Sequence, residues 1–158
     1  MNVFLTKATL NEAGTIHAMQ VKSFQPLLDK YQDFETNPAA EPIEKIITRI
    51  NQSFTDYYII TNEINAIGGI RIVRLENKRY RVSPVFVLPE HQGKGIAQKV
   101  FQMIEGIYAD AKSWELETIL QEPGNCHLYE KVGYQRTGKS QVINSKMTLI
   151  AYEKKVDK

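Results

Sequence analysis

The chain has 158 residues, a length typical of one domain, and its 42% hydrophobic and 24% charged residues exclude a disordered or fibrous protein. A formal charge of +2 is too small for the broad basic surface of a nonspecific nucleic-acid binder. The single cysteine, Cys126, excludes an intrachain disulfide and a multi-cysteine zinc site. With no signal peptide or membrane-spanning apolar run, we expect one cytoplasmic domain over residues 1–158, without a metal, membrane or nucleic-acid partner.

The first third of the chain predicts a short strand followed by two helices. Residues 2–7 alternate as a strand, and a capping box at Thr9 begins a helix that is expected to run to about Phe24. Prolines, acids and aromatics then interrupt the pattern, so residues 25–41 are predicted to be a long connecting segment. A second amphipathic helix follows over residues 42–51, with a proline at its start.

The middle of the chain predicts an antiparallel sheet. Residues 57–61, 66–75 and 79–87 are rich in β-branched and aromatic side chains and are separated by turn-prone asparagines, which indicates a meander. Apolar residues at helical spacing from residue 96 to 111 predict a crossover helix, and residues 118–121 a short strand behind it. Together they form one βαβ unit.

The last part of the chain predicts a short helix and two strands. The helix covers residues 125–131 and is ended by Gly133, which can adopt a left-handed conformation. The strands cover residues 134–137 and 147–154. The predicted fold class is therefore α/β, with a single mixed, mostly antiparallel sheet flanked by helices.

The most informative segment is the strand-to-helix turn that contains Gly93 and Gly95. The first N–H groups of a helix lack acceptors and lie at the positive end of its dipole, so such a turn can bind a diphosphate. A Walker loop is excluded because Leu88 stands where its first glycine belongs. The dinucleotide fingerprint is excluded because Gln98 stands where it needs glycine or alanine. A structural turn without a ligand remains the alternative.

Two motifs in this region resemble those of the GNAT superfamily of N-acetyltransferases. Residues 92–97, with the pattern Gln-x-x-Gly-x-Ala, resemble its acyl-CoA pyrophosphate loop. Residues 125–134, with the pattern Asn-x-x-Leu-Tyr-Glu-Lys-x-Gly-Tyr, resemble its second conserved block. The order of predicted strands and helices is also that of the family, so the resemblance covers nearly the whole chain and implies a GNAT-type fold.

The resemblance implies acetyl-CoA as cosubstrate and assigns its binding residues. Backbone amides of residues 92–97 would hold the pyrophosphate, while Val85 and Val87 would pair with the pantetheine like an added strand. Asn125 would bond to the pantetheine arm, and Tyr129 would point at the thioester sulfur. The full set expected at the cofactor is Val85, Phe86, Val87, Gln92, Gly93, Lys94, Gly95, Ile96, Ala97, Asn125 and Tyr129.

Acetyl transfer to an amine needs a held carbonyl and a proton for the departing thiolate. A tyrosine with a pKa of about 10 keeps its proton at neutral pH, so Tyr129 is the predicted general acid. A main-chain N–H, that of Val87, is expected to polarise the thioester carbonyl. Cys126 has no triad-like partners in the sequence, so no acyl-enzyme is expected. The amine would attack directly within a ternary complex.

The sequence leaves the general base open. Many members of the family carry a carboxylate on the strand before the loop, but residues 79–88 contain none. Glu122, just past a strand end, is the predicted substitute. Asp33 and Glu35 are expected at the acceptor site, as counter-ions of a cationic amine or as water-linked bases. The alternatives are exposed loop acids without a role and ordered water that carries the proton away.

These observations predict an enzyme that transfers the acetyl group of acetyl-CoA to a primary amine of a small molecule. Protein or peptide acetylation is an alternative, and it would need an open groove at residues 25–41. A CoA-binding sensor or interaction module without turnover is a second alternative. A homodimer is the default expectation for a small enzyme.

Overall fold

The computed structural model describes residues 2–156. They form one mixed sheet with helices on both faces. The strands are β1 Phe4–Lys7, β2 Thr55–Thr61, β3 Ala66–Arg74, β4 Arg79–Val87, β5 Ser113–Ile119, β6 Gln135–Asn144 and β7 Met147–Lys155. The α-helices are α1 Ala13–Tyr31, α2 Ile43–Asn51, α3 Ile96–Ile107 and α4 Pro123–Lys131. Short 3-10 turns lie at Leu10–Glu12, Pro38–Ala40, Glu76–Lys78 and Pro89–His91.

The strand order explains where a ligand can enter. The sheet runs β1-β2-β3-β4-β5-β7-β6, and neighbouring strands are antiparallel except β4 and β5, which α3 connects in parallel. The predicted fold class, a mostly antiparallel mixed sheet flanked by helices, is confirmed. The parallel pair is short, because Arg79–Arg81 pairs with Ser113–Glu115 and the two strands then separate.

The core fills both faces of this sheet. On one face, α3 packs Val100 and neighbouring apolar residues against the sheet, and on the other α1 and α2 contribute Ile16 and Ile46. Strand alternation sends Val87 to the first cluster and Phe86 to the second. The end of β4 is therefore held rigidly from both sides, next to the gap that β5 leaves.

Helix α1 is longer than the sequence predicts. It was expected to end near Phe24, but it continues through Pro26 to Tyr31. A proline removes one helical hydrogen bond, and here the burial of Leu28 and Tyr31, 6% and 3% exposed, compensates for that loss. Gln32, in the left-handed conformation, ends the helix and donates its N–H to the carbonyl of Leu28 at 2.8 Å.

Strands β5 and β6 are also longer than predicted. β5 begins at Ser113 rather than at residue 118, because Trp114 and Leu116 are buried in alternation with exposed or half-buried glutamates. β6 continues to Asn144 rather than to residue 137. Most of its side chains are exposed, so it lacks the apolar alternation by which a strand is recognised in a sequence.

The other predicted elements are present with small shifts at their ends. The meander of β2, β3 and β4 is antiparallel as expected, and a 3-10 turn begins at the predicted capping box, where the N–H of Thr9 donates to Oε1 of Glu12 at 3.1 Å. Gly133 has a φ of 105°, in the left-handed region predicted for it. Within residues 2–156, no helix has both the length and the apolar character needed to cross a membrane.

Candidate active site

A cleft of about 800 Å³ opens where β4 and β5 separate. Leu88 donates its N–H to the carbonyl of Ile67 on β3 at 2.8 Å. Because N–H groups alternate in direction along an antiparallel strand, those of Val85 and Val87 point away from β3, into the gap. The gap therefore presents a strand edge with free donors, which an extended ligand can pair with.

The turn at one end of this cleft has the geometry of an anion site. Gly93 and Gly95 both have a φ of 76°, in the region that favours glycine, and Gly95 is the N-cap of α3. Ile96 and Ala97, whose amides have no helical acceptor, line the cleft. The Nε2 of Gln92 donates to the carbonyl of Val87 at 2.9 Å and ties the turn to the end of β4.

The residues present fit an acyl-CoA. A strand edge with free donors leads to a helix N-terminus, and this sequence of groups suits an extended arm that ends in a diphosphate. Every residue predicted at the cofactor lines the cleft except Lys94, whose exposed side chain lies outside the lining. Lys94 stands between the two glycines at the tip of the turn.

Tyr129 lies in the wall of the cleft on α4, one turn after Asn125. Its side chain is 8% exposed, and its ring meets that of Phe101 edge to face, with centroids 5.8 Å apart. Burial raises the pKa of Tyr129 to about 12. The phenol therefore stays protonated throughout the neutral and mildly alkaline range and remains a hydrogen-bond donor.

Of the two acids predicted at the acceptor site, the structure brings only Asp33 to the cleft. Asp33 is 3% exposed, lines the cleft and accepts hydrogen bonds from the N–H groups of Glu35, at 3.2 Å, and Thr36, at 3.0 Å. Glu35 is exposed and lies outside the lining. Glu35 therefore contributes to this turn through its main-chain N–H group, and not through its carboxylate.

The segment between α1 and α2 covers this end of the cleft and is firmly anchored. Asn37 is buried and its side chain accepts from the N–H of Ala39 at 2.7 Å. Gln20, fully buried on α1, donates from Nε2 to the carbonyl of Pro38 and to Oε1 of Glu41, both at 2.9 Å. These buried polar contacts fix the segment against α1.

Three charged residues of the cleft were not predicted as site residues: Arg81 on β4, Glu117 on β5 and Lys131 on α4. Arg81 forms ion pairs with Glu115 and Glu117 across the diverging strands. The alternation of arginines with apolar residues on β4 was the available signal, but in the sequence it is typical of an exposed sheet face.

Glu122, the predicted base, lies outside the cleft lining. Its carboxylate accepts from Nζ of Lys30 at 2.8 Å and from the hydroxyl of Tyr31. Burial raises the pKa of Glu122, but the hydrogen bonds from Lys30 and Tyr31 outweigh burial and leave the pKa below its ordinary value. A carboxylate whose proton affinity is lowered in this way is a poorer base than a free one.

Among residues 2–156, no group of three or more His, Cys, Asp and Glu side chains is placed to hold a metal ion.

Comparison with known proteins agrees with this geometry. A family model for the acetyltransferase (GNAT) domain matches residues 53–136, more than half of the chain. No curated protein matches the sequence. Among solved structures, the chain is similar to the PaiA N-acetyltransferase from Thermoplasma acidophilum in complex with coenzyme A, with 16% identity and a TM-score of 0.81, over 99% of this chain and 100% of that one.

Two further structures have the same fold. The spermidine N-acetyltransferase from Vibrio cholerae, in complex with CoA and spermine, has 18% identity and a TM-score of 0.74, over 96% of this chain and 94% of that one. The ribosomal-protein alanine N-acetyltransferase from Escherichia coli has 8% identity and a TM-score of 0.79, over 99% of this chain and 96% of that one. Because the family model covers more than half of the chain, including the glycine-bearing turn and the whole second motif, the chain belongs to the GNAT acetyltransferase family and is an acetyl-CoA-dependent N-acetyltransferase.

Proposed function

We propose that residues 1–158 act as one domain that acetylates a primary amine of a small molecule. The observation that carries this proposal is the continuous cleft, which has free strand donors and a helix N-terminus at one end and a buried carboxylate at the other. Asp33 at that far end, beside the apolar Phe24 and Leu27, suits a cationic amine with an aliphatic body. A structural neighbour solved with spermine supports an acceptor of this kind.

The cover over the acceptor end favours a small acceptor over a protein. A protein or peptide substrate needs an open groove to lie in, whereas residues 32–42 are held against α1 by the contacts of Gln20. Asp33, Asn37 and Pro38 from this segment line the cleft. An amine bound at this end of the cleft would therefore contact this anchored segment.

The reaction joins the amine nitrogen to the acetyl carbon and breaks the carbon–sulfur bond of the thioester. An amine that binds as the cation first releases one proton to water, and the neutral amine then attacks. Its second proton ends on the CoA thiol, so atoms and charge balance. The N–H of Val87 points into the gap and is our candidate to stabilise the negative charge that develops on the carbonyl oxygen.

Tyr129 is proposed to act on the departing sulfur, chiefly as a hydrogen-bond donor. With a pKa of about 12 it holds its proton far more tightly than an ordinary thiol, whose pKa is about 8.5. Complete transfer to a free thiolate is therefore unfavourable by roughly three powers of ten. A hydrogen bond to sulfur as its charge develops stabilises the transition state without that cost.

The removal of the amine proton is assigned to water beside Asp33. Asp33 is our proposed counter-ion, since it is the buried carboxylate at the acceptor end. Glu122 as direct base is disfavoured, because its carboxylate lies outside the cleft lining and because the hydrogen bonds from Lys30 and Tyr31 lower its pKa.

The test is acetyl transfer from isotope-labelled acetyl-CoA to a panel of alkyl monoamines, diamines, amino acids and short peptides. We expect label on one or more small primary amines and little on peptides. Preferential labelling of peptides would contradict the small-molecule proposal. Calorimetric binding of CoA without transfer to any amine would instead favour a binding module.

A further inference from the structure

Glu122 lies where α1, β5 and α4 meet. Its side chain accepts from Lys30 at 2.8 Å and from the hydroxyl of Tyr31, and its main-chain carbonyl accepts from the N–H groups of Asn125 at 3.1 Å and Cys126 at 3.2 Å. One residue therefore binds the end of α1 with its carboxylate and the first turn of α4 with its backbone. We call the three side chains of Lys30, Tyr31 and Glu122 the Glu122 junction.

The α1 side of this junction is rigid. Tyr31 is 3% exposed and packs with Ile119 and Met147. Its carbonyl accepts from Nδ2 of Asn144 at 2.9 Å. Asp33, in the wall of the acceptor end, follows two residues later in the chain. The position of Tyr31 thus sets where the acceptor wall begins.

The α4 side of the junction carries the cofactor wall. Asn125 and Tyr129 both line the cleft, and both lie on the helix whose N-cap is Glu122. A displacement of the first turn of α4 would move these two side chains together. The Glu122 junction is therefore the direct side-chain link between the end of α1, which leads to the acceptor wall, and the helix of Tyr129.

We infer that Glu122 is a positioning residue. Through Tyr31 it holds the acceptor wall, which contains Asp33, at a fixed separation from the cofactor wall, which contains Asn125 and Tyr129. The inference that the walls are coupled stands on these contacts alone. Its consequence for turnover rests on the proposed function. The lowered pKa of Glu122 agrees with a permanently charged anchor, since such a carboxylate does not titrate near neutral pH.

The coupling is tested by amide hydrogen exchange on the full chain, without turnover. Tyr31→Phe removes only the hydroxyl and leaves the ring packed. We expect exchange to become about 10- to 100-fold faster both in residues 32–37 and in the first turn of α4, the range that the loss of a hydrogen bond to a charged group allows. Unchanged exchange in either segment would overturn the inference.

A matched control removes a phenol that has no part in the junction. The hydroxyl of Tyr58 contacts that of Tyr108 at 3.0 Å, on another part of the sheet. Tyr58→Phe should leave exchange in residues 32–37 and at the start of α4 unchanged. If it accelerated both segments as Tyr31→Phe does, the effect would be one of global stability and the inference would fail.

Steady-state kinetics distinguish a positioning residue from a general base. The substrate is an amine that the labelled acetyl-CoA panel has identified. Glu122→Gln keeps an oxygen that can accept from Tyr31, whereas Glu122→Ala removes it. We expect kcat to fall less than about 3-fold for Gln and about 10-fold for Ala, with Tyr31→Phe adding nothing in the Ala background. Equal losses of about 100-fold or more for Gln and Ala would identify a base instead. If no amine is acetylated, the proposed function fails, and the exchange experiment still decides the coupling.

Discussion

Tyr129→Phe tests the proposed chemistry most directly, because it removes one oxygen from the wall of the cleft. The ring stays packed against Phe101, so the helix and the CoA site should persist. Loss of a donor to the developing thiolate should lower kcat by about 100-fold, or about 2.7 kcal/mol in activation free energy. We expect the low end of the range for acid–base groups because a phenol with a pKa of about 12 is a weak acid.

The assay is the release of free CoA thiol at saturating amine, together with calorimetric binding of CoA to each variant. CoA affinity should change less than about 3-fold, since the contacts assigned to the cofactor are mostly main-chain amides. Tyr134→Phe is the matched control. Tyr134 is a buried neighbour, with its ring centroid 6.3 Å from that of Tyr129, and it lies outside the cleft lining. Its hydroxyl has no hydrogen-bond partner among residues 2–156, so its loss should leave kcat unchanged.

The pH profile gives a second check on the same phenol. A group whose pKa is raised to about 12 stays protonated well above neutral pH, so kcat should not fall between pH 8 and pH 10 through loss of the Tyr129 proton. An alkaline limb in that interval that disappears in Tyr129→Phe would refute the burial argument. Wild-type turnover in Tyr129→Phe would remove the phenol from the mechanism altogether.

Four other changes test the fold. Gly95→Ala places a side chain at a φ of 76°, so it should cost about 1 kcal/mol of stability, measured by urea unfolding, and weaken CoA binding, measured by calorimetry. The control Gly106→Ala, within α3, should stabilise the protein by about 1 kcal/mol in the same unfolding experiment. Gly69→Ala sets a Cβ 2.7 Å from Cζ of Phe86 and should cost about 1 to 3 kcal/mol by displacing that ring. Asp56 is buried with two cations and a phenol, whose contacts outweigh desolvation and lower its pKa. Because the folded carboxyl then binds its proton more weakly than the unfolded one, Asp56 stabilises the protein above about pH 4 and loses this effect as the pH falls further. Asp56→Asn should therefore cost about 3 kcal/mol at pH 7 and flatten the loss of stability in acid.

The glycine-bearing turn was predictable because its physics is local. Gly93 and Gly95 mark a backbone that needs positive φ, and the helix that follows supplies free amides whatever the rest of the chain does. Asn125 and Tyr129 share a helix face because they are four residues apart. Each of these features depends on neighbours within one or two turns, so residue types and spacing were sufficient.

The errors have the opposite origin, since they depend on contacts distant in sequence. Pro26 predicts a helix end near Phe24, but burial of Tyr31 against Ile119 and Met147 carries α1 about two turns further. No local pattern around residue 26 contains information about those partners. β6 was shortened for a related reason, because its pairing with β7 is specified by β7 and its own side chains are exposed.

The misplaced helix end also explains the surroundings of Glu122, whose role as general base stays an untested prediction. If α1 ended near Phe24, Lys30 and Tyr31 would lie in a loop and Glu122 would be a free carboxylate at a strand end, the position from which a base is expected. Because α1 continues, its last turn delivers a cation and a phenol to that carboxylate. The same extra turns that contradict the predicted helix end therefore give Glu122 the two partners that disfavour it as a base and that support the proposed anchor between two walls of the cleft.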